Sequence, residues 1–383
     1  MFQDNPTMYN TDRMKLLITG GHHSSAIPVI NELQQRYPEI QIKWVGHRHS
    51  LQFDKNDTLE YIEITRLGIP FYELSAGKVY KTYNLRNILR IPLGFFQSFV
   101  YLLKNRPDMI LSFGGYIAAP IVFTGWLLGI PSVTHEQTVV VGYANRFISL
   151  FVKKIFVSWK ESLKYFPESK VIYTGMPIRK SILKISSNEF DANNELPYVF
   201  VFAGKSGSHL INSHVLASFE TLMKKINLIV QTGDYSELND FETLNTAYEK
   251  VKDTLPGKMF IKKFIFENEI GEAYGKADLV VARSGAHTVK ELEVLHKRAV
   301  LIPISWVSHN EQFENAKILE NKNLAVILDE NNLTSEVFTD TILQNIGKTL
   351  ERATYNEDIS NSEKVIVDEI IKTFSKKIKK TTS

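Results

Sequence analysis

The stretch MILSFGGYIAAPIVFTGWLLGIPSVTHEQ, residues 109–137, decides the fold. Its first 27 residues contain no Asp, Glu, Lys or Arg, longer than the roughly 20 apolar residues of a membrane span. Yet Gly114, Gly115, Pro120, Gly125, Gly129 and Pro131 cut it into short pieces. MILSF reads as a buried strand, GGY as a turn, PIVFTGWLL as a short helix and IPSVTH as the next strand. A parallel sheet covered on both faces has such unbroken apolar strands without any lipid.

The same rhythm extends in both directions. KLLITG (15–20), IKWVG (42–46) and KIFVS (154–158) flank it in the first half. The second half carries YVFVFAG (198–204), LIVQTG (228–233), KMFIKKF (258–264), DLVVARSG (278–285), AVLIPI (299–304) and AVILDE (325–330). Strand, glycine turn, helix, strand is the doubly wound α/β pattern, and it occurs twice. The polar run SILKISSNEFDANNELP (181–197) separates the halves. The expected division is a loose extension at 1–13, one Rossmann-like domain at 14–180 and a linker at 181–197. A second Rossmann-like domain follows at 198–360, then a C-terminal helix and basic tail at 361–383. The extension has acidic residues and no apolar stretch of the signal-peptide kind.

A chain of 383 residues, 44% hydrophobic and 23% charged, has the makings of two cores and is not a disordered composition. Its zero cysteines exclude a disulfide scaffold, a thiolate metal site and a cysteine nucleophile. The net charge of +3 does not call for a nucleic-acid partner. Its distribution is more telling. Residues 1–196 hold 22 basic against 16 acidic side chains, net +6, and the remainder 23 against 26, net −3. Two acid-free segments lie in the basic half. Residues 81–106 carry Lys81, Arg86, Arg90, Lys104 and Arg106, and residues 138–160 carry Arg146, Lys153, Lys154 and Lys160, both among many aromatic and aliphatic side chains. They read either as core-facing helices with basic outer faces or as a surface that docks on an anionic membrane.

Ligands of open parallel sheets lie at the carboxyl ends of the strands, so the loops there carry the chemistry. TGGHHSS (19–25) follows the first strand. Glycines admit a ligand to the backbone, and a neutral His can serve as general base; a His that merely caps the turn is the alternative. SFGGY (112–116) and HEQ (135–137) end two further strands, HEQ as a buried network, a ligand loop or both. In the second half, FAGKSGSHLIN (202–212) is glycine-rich but fits neither the P-loop nor the G-x-G-x-x-G spacing, which disfavours ATP hydrolysis and hydride transfer. ADLVVARSGAHTVKE (277–291) places Ser284, Gly285 and Thr288 at a helix start, with Arg283 just before and Glu291 one turn inside. PISWVSHNEQFENA (303–316) supplies a further polar cluster.

In order, these loops resemble the MurG family of bacterial UDP-N-acetylglucosamine transferases, which convert lipid I to lipid II. The landmarks are GGH (20–22), FGGY (113–116), GIPSVTHEQ (129–137), ANRF (144–147), TGMPIR (174–179), AGKSG (203–207), ARSGAHTVKE (282–291) and EQFENA (311–316). The resemblance spans about residues 14–350 and implies a GT-B glycosyltransferase fold, two Rossmann-like doubly wound domains facing across a cleft. It implies an inverting transfer of GlcNAc from UDP-GlcNAc to an undecaprenyl-diphosphate-linked acceptor, peripheral attachment at the cytoplasmic face of the membrane, and no cofactor or metal; there is no Asp-x-Asp motif. By resemblance His22 is the general base. Gly114, Gly115, Tyr116, His135, Glu136, Gln137 and Asn145 face the acceptor, and Arg179, Ser206, Arg283, Ser284, Glu291 and Gln312 the donor. Glu291 would meet the ribose and Gln312 the sugar, while Arg179 or Arg283 would meet the departing diphosphate. The family's first loop, GGTGGH, is three residues longer than GGHH here, so His23 or Ser25 are the alternatives to His22. AGKSGS stands for GGSQGA, Thr138 for Asn, and Glu311 for the first of two glutamines. The other readings are a GT-B transferase with a different acceptor, a UDP-sugar epimerase of the same fold, and a non-catalytic nucleotide-sugar scaffold.

Overall fold

The computed structural model describes residues 14–49, 57–75, 85–204, 207–234, 238–307, 310–347 and 361–381; at 59, 85–90 and 376–381 it describes the backbone alone. The chain divides into two compact units, Met1–Ile178 with Glu357–Ser383, and Arg179–Asn356.

In the first unit β1 (Lys15–Thr19), β2 (Gln41–Gly46), β3 (Phe71–Glu73), β4 (Met109–Ser112), β5 (Ser132–Glu136), β6 (Lys154–Val157) and β7 (Val171–Tyr173) form one sheet in the order β3-β2-β1-β4-β5-β6-β7. All its pairings are parallel. Helices α1 (His23–Arg36), α2 (Leu59–Arg66), α3 (Leu85–Asn105), α4 (Ala118–Leu127) and α5 (Tyr143–Ser149) make the connections as far as β6. Both faces of the sheet are covered, which is why β4 and β5 are buried at every position. The 109–137 stretch is thus strand, turn, helix and strand, and among the described residues no helix is long and apolar enough to cross a membrane.

The second unit repeats the plan. β8 (Tyr198–Phe202), β9 (Asn227–Gln231), β10 (Met259–Lys262), β11 (Ala277–Ala282), β12 (Ala299–Leu301) and β13 (Ala325–Ile327) run in the order β10-β9-β8-β11-β12-β13. The pairings are again parallel. Helices α6 (His209–Leu222), α7 (Asp240–Glu249), α8 (Glu267–Lys276), α9 (Ala286–Val294), α10 (Glu311–Glu320) and α11 (Ser335–Asn345) complete it. The polar run 181–197 is held on this unit by Glu272, whose carboxylate accepts from Ser187 Oγ at 2.6 Å and from the Glu189 and Phe190 amides at 2.7 and 2.9 Å.

The last helix, α12 (Ser362–Thr381), belongs to the first unit. It buries Ile366, Val367, Ile370, Ile371 and Phe374 in the core formed by β1, β2 and α1. In each unit strand order reverses beside the first strand, between β1 and β4 and between β8 and β11, and these switch points are where a doubly wound sheet opens a crevice for ligand.

Two sequence readings need correction. The edge strands β3 and β7, three residues each, were not among the expected strands. The acid-free segment 138–160 is not helical throughout: α5 takes seven residues of it, and the strand expected at 154–158 is β6. Ile155 and Phe156 are therefore fully buried and Trp159 nearly so, and none of them contributes to a surface.

Candidate functional site

At the first switch point the chain leaves β1 through Gly20, at φ +142°, where a Cβ would come within 2.7 Å of the Phe113 backbone. Only glycine lets the two loops approach this closely. The next amide, Gly21 N–H, donates to the Gly114 carbonyl at 3.1 Å, stitching the GGHH loop to the FGGY loop.

The three candidates for the base have different surroundings. His23 Nε2 stands 3.0 Å from Glu63 Oε2 on α2. Ser25 is buried and donates to Gln137 Oε1 at 3.0 Å. His22 holds the N-cap position of α1, yet its side chain makes no capping bond, so the capping reading does not apply. Its ring is the one not committed to a neighbouring side chain. Desolvation first, and nearby His23 second, lower its pKa to about 4. The imidazole is therefore neutral at pH 7 with a lone pair available.

HEQ forms a buried network. Glu136 Oε1 accepts from the Thr138 amide and hydroxyl at 2.9 and 2.8 Å, and Oε2 accepts from Asn145 Nδ2 at 2.8 Å. Burial raises the Glu136 pKa, and these donors oppose the rise. Asn145 lies under Gly114, where a Cβ would meet its amide at 2.5 Å. Gln137 is fixed by Ser25 and, through its carbonyl, by Trp159 Nε1 at 2.9 Å. His135 Nε2 and Ser158 Oγ are 3.1 Å apart. Burial takes the His135 pKa to about 3, with the Gly175 backbone opposing and His22 adding to the shift. Thus Glu136, Asn145 and Gln137 shape the loops, while Gly115 and the exposed Tyr116 border solvent.

At the second switch point Gly207 has φ +76°, and a Cβ there would lie 1.9 Å from the Thr232 carbonyl oxygen. Ser206, one residue earlier, lies outside the described residues. Arg179 and Glu291 form a bidentate pair, Nε to Oε1 at 2.8 Å and Nη2 to Oε2 at 3.2 Å. Tyr274 adds its hydroxyl to Glu291 Oε2 at 2.8 Å. Arg283 reaches Glu330 Oε2 at 2.7 Å, the Ile302 carbonyl at 2.9 Å and Ser208 Oγ at 3.0 Å, so it ties together the loops after β8, β11 and β12. Ser284 is buried and donates to the Gln312 carbonyl at 2.8 Å, while Gln312 Oε1 accepts the Ile304 amide at 3.0 Å. Both arginines are therefore matched by a carboxylate. Arg283 Nε is nevertheless buried without a partner, and no side chain caps α9 at Gly285. Tyr274, Glu330 and Gln231, which bridges the Gly204 carbonyl and the Ile265 amide, were not singled out from sequence. Of these, Gln231 and Glu330 carried a signal, a polar side chain at or just past the carboxyl end of a strand. Among the described residues no cluster of three or more His, Asp or Glu is placed to hold a metal ion.

Two doubly wound units, each with its polar loops gathered at the switch point, make the GT-B fold, and the matching family models make it that of a glycosyltransferase. Residues 19–157 match the glycosyltransferase family 28 N-terminal domain and residues 198–374 its C-terminal domain. The crystal structure of Acinetobacter baumannii MurG superposes with a TM-score of 0.68 over 94% of this chain and 100% of that one, at 22% identity. UDP-GlcNAc 2-epimerase from Neisseria meningitidis, bound to UDP-GlcNAc, gives 0.62 at 14% identity over 94% and 100%, which shows the shared fold. The Bacillus subtilis (strain 168) UDP-N-acetylglucosamine–N-acetylmuramyl-(pentapeptide) pyrophosphoryl-undecaprenol N-acetylglucosamine transferase is 31% identical over 83% of this chain and 85% of its own length. The Pediococcus pentosaceus protein of that name is 31% identical over 86% and 90%. The chain belongs to this family of N-acetylglucosamine transferases.

Proposed function

We propose that the chain transfers GlcNAc from UDP-GlcNAc to the C4 hydroxyl of MurNAc in undecaprenyl-linked lipid I, giving lipid II. The observation that carries this reading is His22, a neutral and uncommitted imidazole on a loop stitched to FGGY, in a chain 31% identical to transferases of that name. The acceptor oxygen attacks C1 of GlcNAc and its proton passes to His22. The bond from C1 to the UDP oxygen breaks, UDP leaves with the electron pair, and the anomeric configuration inverts. Gly114, Gly115 and Tyr116 border the acceptor, on a loop shaped by His135, Glu136, Gln137 and Asn145.

Glu291 receives the ribose hydroxyls and Gln312 the sugar. The diphosphate is met by Arg179 or Arg283, the latter with its Nε buried and unpartnered, by the N-terminal end of α9 and by the loop bearing Ser206. Donor binding then exchanges part of the Arg179–Glu291 pair for contacts with UDP.

Attachment to the cytoplasmic face of an anionic membrane is assigned to α3, α4 and α5. Phe96, Phe99 and Leu103 on α3, Trp126 and Leu127 on α4, and Phe147 on α5 are exposed, as is Leu150 just after α5. The rings of Phe95, Phe123, Trp126, Phe147 and Phe151 join these helices into one surface. Lys104, Arg106, Arg146, Lys153 and Lys160 are exposed in the same segments. An apolar face with basic residues around it is the composition of an interfacial anchor.

The test supplies UDP-GlcNAc and lipid I and follows UDP. Release that requires lipid I supports the reading. Release only with another acceptor overturns it in favour of a different GT-B transferase, and UDP binding without turnover on any acceptor favours a scaffold.

A further inference from the structure

Behind the FGGY loop lies a buried acid that the transfer reaction does not use. Glu60, the second residue of α2, is 8% exposed, and its Oε1 accepts Trp44 Nε1 at 2.7 Å. The same carboxyl accepts the backbone amide of His47. It reaches this place only because residue 46 is glycine; a Cβ there would lie 1.8 Å from Oε1. The backbone at His47, the first residue after β2, is thereby fastened from below. On it stands the His47 ring, and the Tyr116 ring rests against His47 with centroids 5.3 Å apart. The Glu60 carboxylate also acts through space on the Tyr116 phenol, which burial and this charge together push above its ordinary pKa.

Burying a carboxyl is costly unless its hydrogen bonds are made. Here two donors only partly offset the desolvation, and the Glu60 pKa stands at about 7. An apolar residue there would leave the Trp44 Nε1–H and the His47 amide without their acceptor, so the carboxyl holds the geometry around residues 44–47 in spite of its own desolvation.

We propose that Glu60 is a positioning residue for the acceptor: it fixes the backbone at His47, so that His47 holds Tyr116 at the border of the FGGY loop. It acts through Tyr116 and does not touch the acceptor. The inference deepens the functional reading above and rests on it for the identity of the acceptor.

The experiment is a double-mutant cycle on the full chain. Glu60→Ala, Tyr116→Ala and the double variant are compared using UDP-GlcNAc and a short-prenyl diphosphate MurNAc-pentapeptide. Melting temperatures and hydrogen exchange of residues 113–118 are measured alongside. Glu60→Ala is expected to raise the acceptor KM about tenfold, the scale of one lost buried hydrogen bond. Its kcat and its KM for UDP-GlcNAc should stay within about twofold. The double variant should be no worse than Tyr116→Ala alone, because the effect passes through Tyr116. Glu60→Gln, which keeps an oxygen for Trp44, should recover most of the loss. Additive losses in the double variant, or an unchanged acceptor KM in a folded Glu60→Ala, would overturn the proposal. So would exchange of residues 113–118 that Glu60→Ala does not speed. That last reading needs no acceptor: absence of UDP release in the wild type would defeat the functional reading, while exchange still decides the role of Glu60.

Discussion

His22 carries the chemical argument, and its environment sets the expected pH behaviour. A base with a pKa of about 4 is not titrated near neutrality, so kcat/KM should show no loss from His22 protonation between pH 8 and 6. An acid limb centred near pH 6.5 that disappears in His22→Asn would contradict this. Replacing His22 with Ala should lower kcat by about a hundredfold or more while UDP binding is retained. His23→Ala, which breaks the pair with Glu63, should cost far less. The same shift bears on stability. A His whose native pKa lies below its unfolded value of about 6.5 binds its proton better in the unfolded chain, so stability falls as pH drops from about 6.5 towards 4. His135, at about 3, has the same sign. Glu60 has the opposite sign, being lowered in the unfolded chain relative to its native value of about 7, so its contribution is lost as pH rises from about 4.5 to 7. Melting temperatures at pH 7 and 5 should therefore differ less in His22→Asn than in the wild type, and an equal difference would refute the assignment. At this scale the sequence was partly legible. It placed His22, His23 and Ser25 on one loop but left the choice among them open. Glu63 on α2 and Gln137 after β5 commit the other two, and those partners lie 40 and 112 positions away in the chain.

Loops and helices respond to single atoms in a different way. Gly207 combines a left-handed backbone with a carbonyl oxygen in the place of its missing Cβ. Gly207→Ala should cost about 2 kcal/mol or more and weaken UDP binding, since the strain falls on the loop between β8 and α6. Unchanged melting and UDP affinity would show that the loop can move aside. Among the described side chains of α3, apolar residues at 93, 96, 99, 100 and 103 are exposed and the buried stripe is Gly94, Ser98 and Leu102. Each exposed aromatic or leucine that enters a bilayer contributes about 1.5–3 kcal/mol. Phe96→Ser together with Leu150→Ser should accordingly reduce binding to anionic vesicles by about a hundredfold or more, without lowering UDP affinity. Equal binding by wild type and variant would remove α3–α5 from the membrane account. The long elements were readable because apolar strands and glycine turns alternate locally. β3 and β7 were not, because three-residue edge strands carry too few residues to establish a period. In 138–160 the strand at 154–158 was legible, but the extent of any surface was not, because composition does not tell an exposed Phe147 from a buried Phe156.

Over the whole molecule, the net +6 falls on the half that matches the family 28 N-terminal domain and the net −3 on the half that matches its C-terminal domain. The chain leaves the first unit at Ile178 and returns to it at Glu357. The five core side chains of α12 together contribute about 10 kcal/mol, comparable to the whole stability of a domain. Ending the chain at Asn361 should therefore unfold the first unit, seen as loss of its melting transition. Retention of that transition would show that α12 is dispensable. This return was hidden in sequence, where 361–383 reads as a helix and basic tail with no sign of its partner. The doubly wound class was plain, because two sets of apolar strands ending in glycine leave few other architectures. Fold alone does not separate the transferase from an epimerase, since both give TM-scores above 0.6. The most direct measurement is therefore product analysis by mass spectrometry and NMR after incubation with UDP-GlcNAc and lipid I. The expected result is a lipid bearing one additional N-acetylhexosamine, β-linked to C4 of MurNAc, formed one for one with UDP and lost in His22→Ala. UDP released together with free N-acetylmannosamine, on an unmodified lipid, would contradict the account.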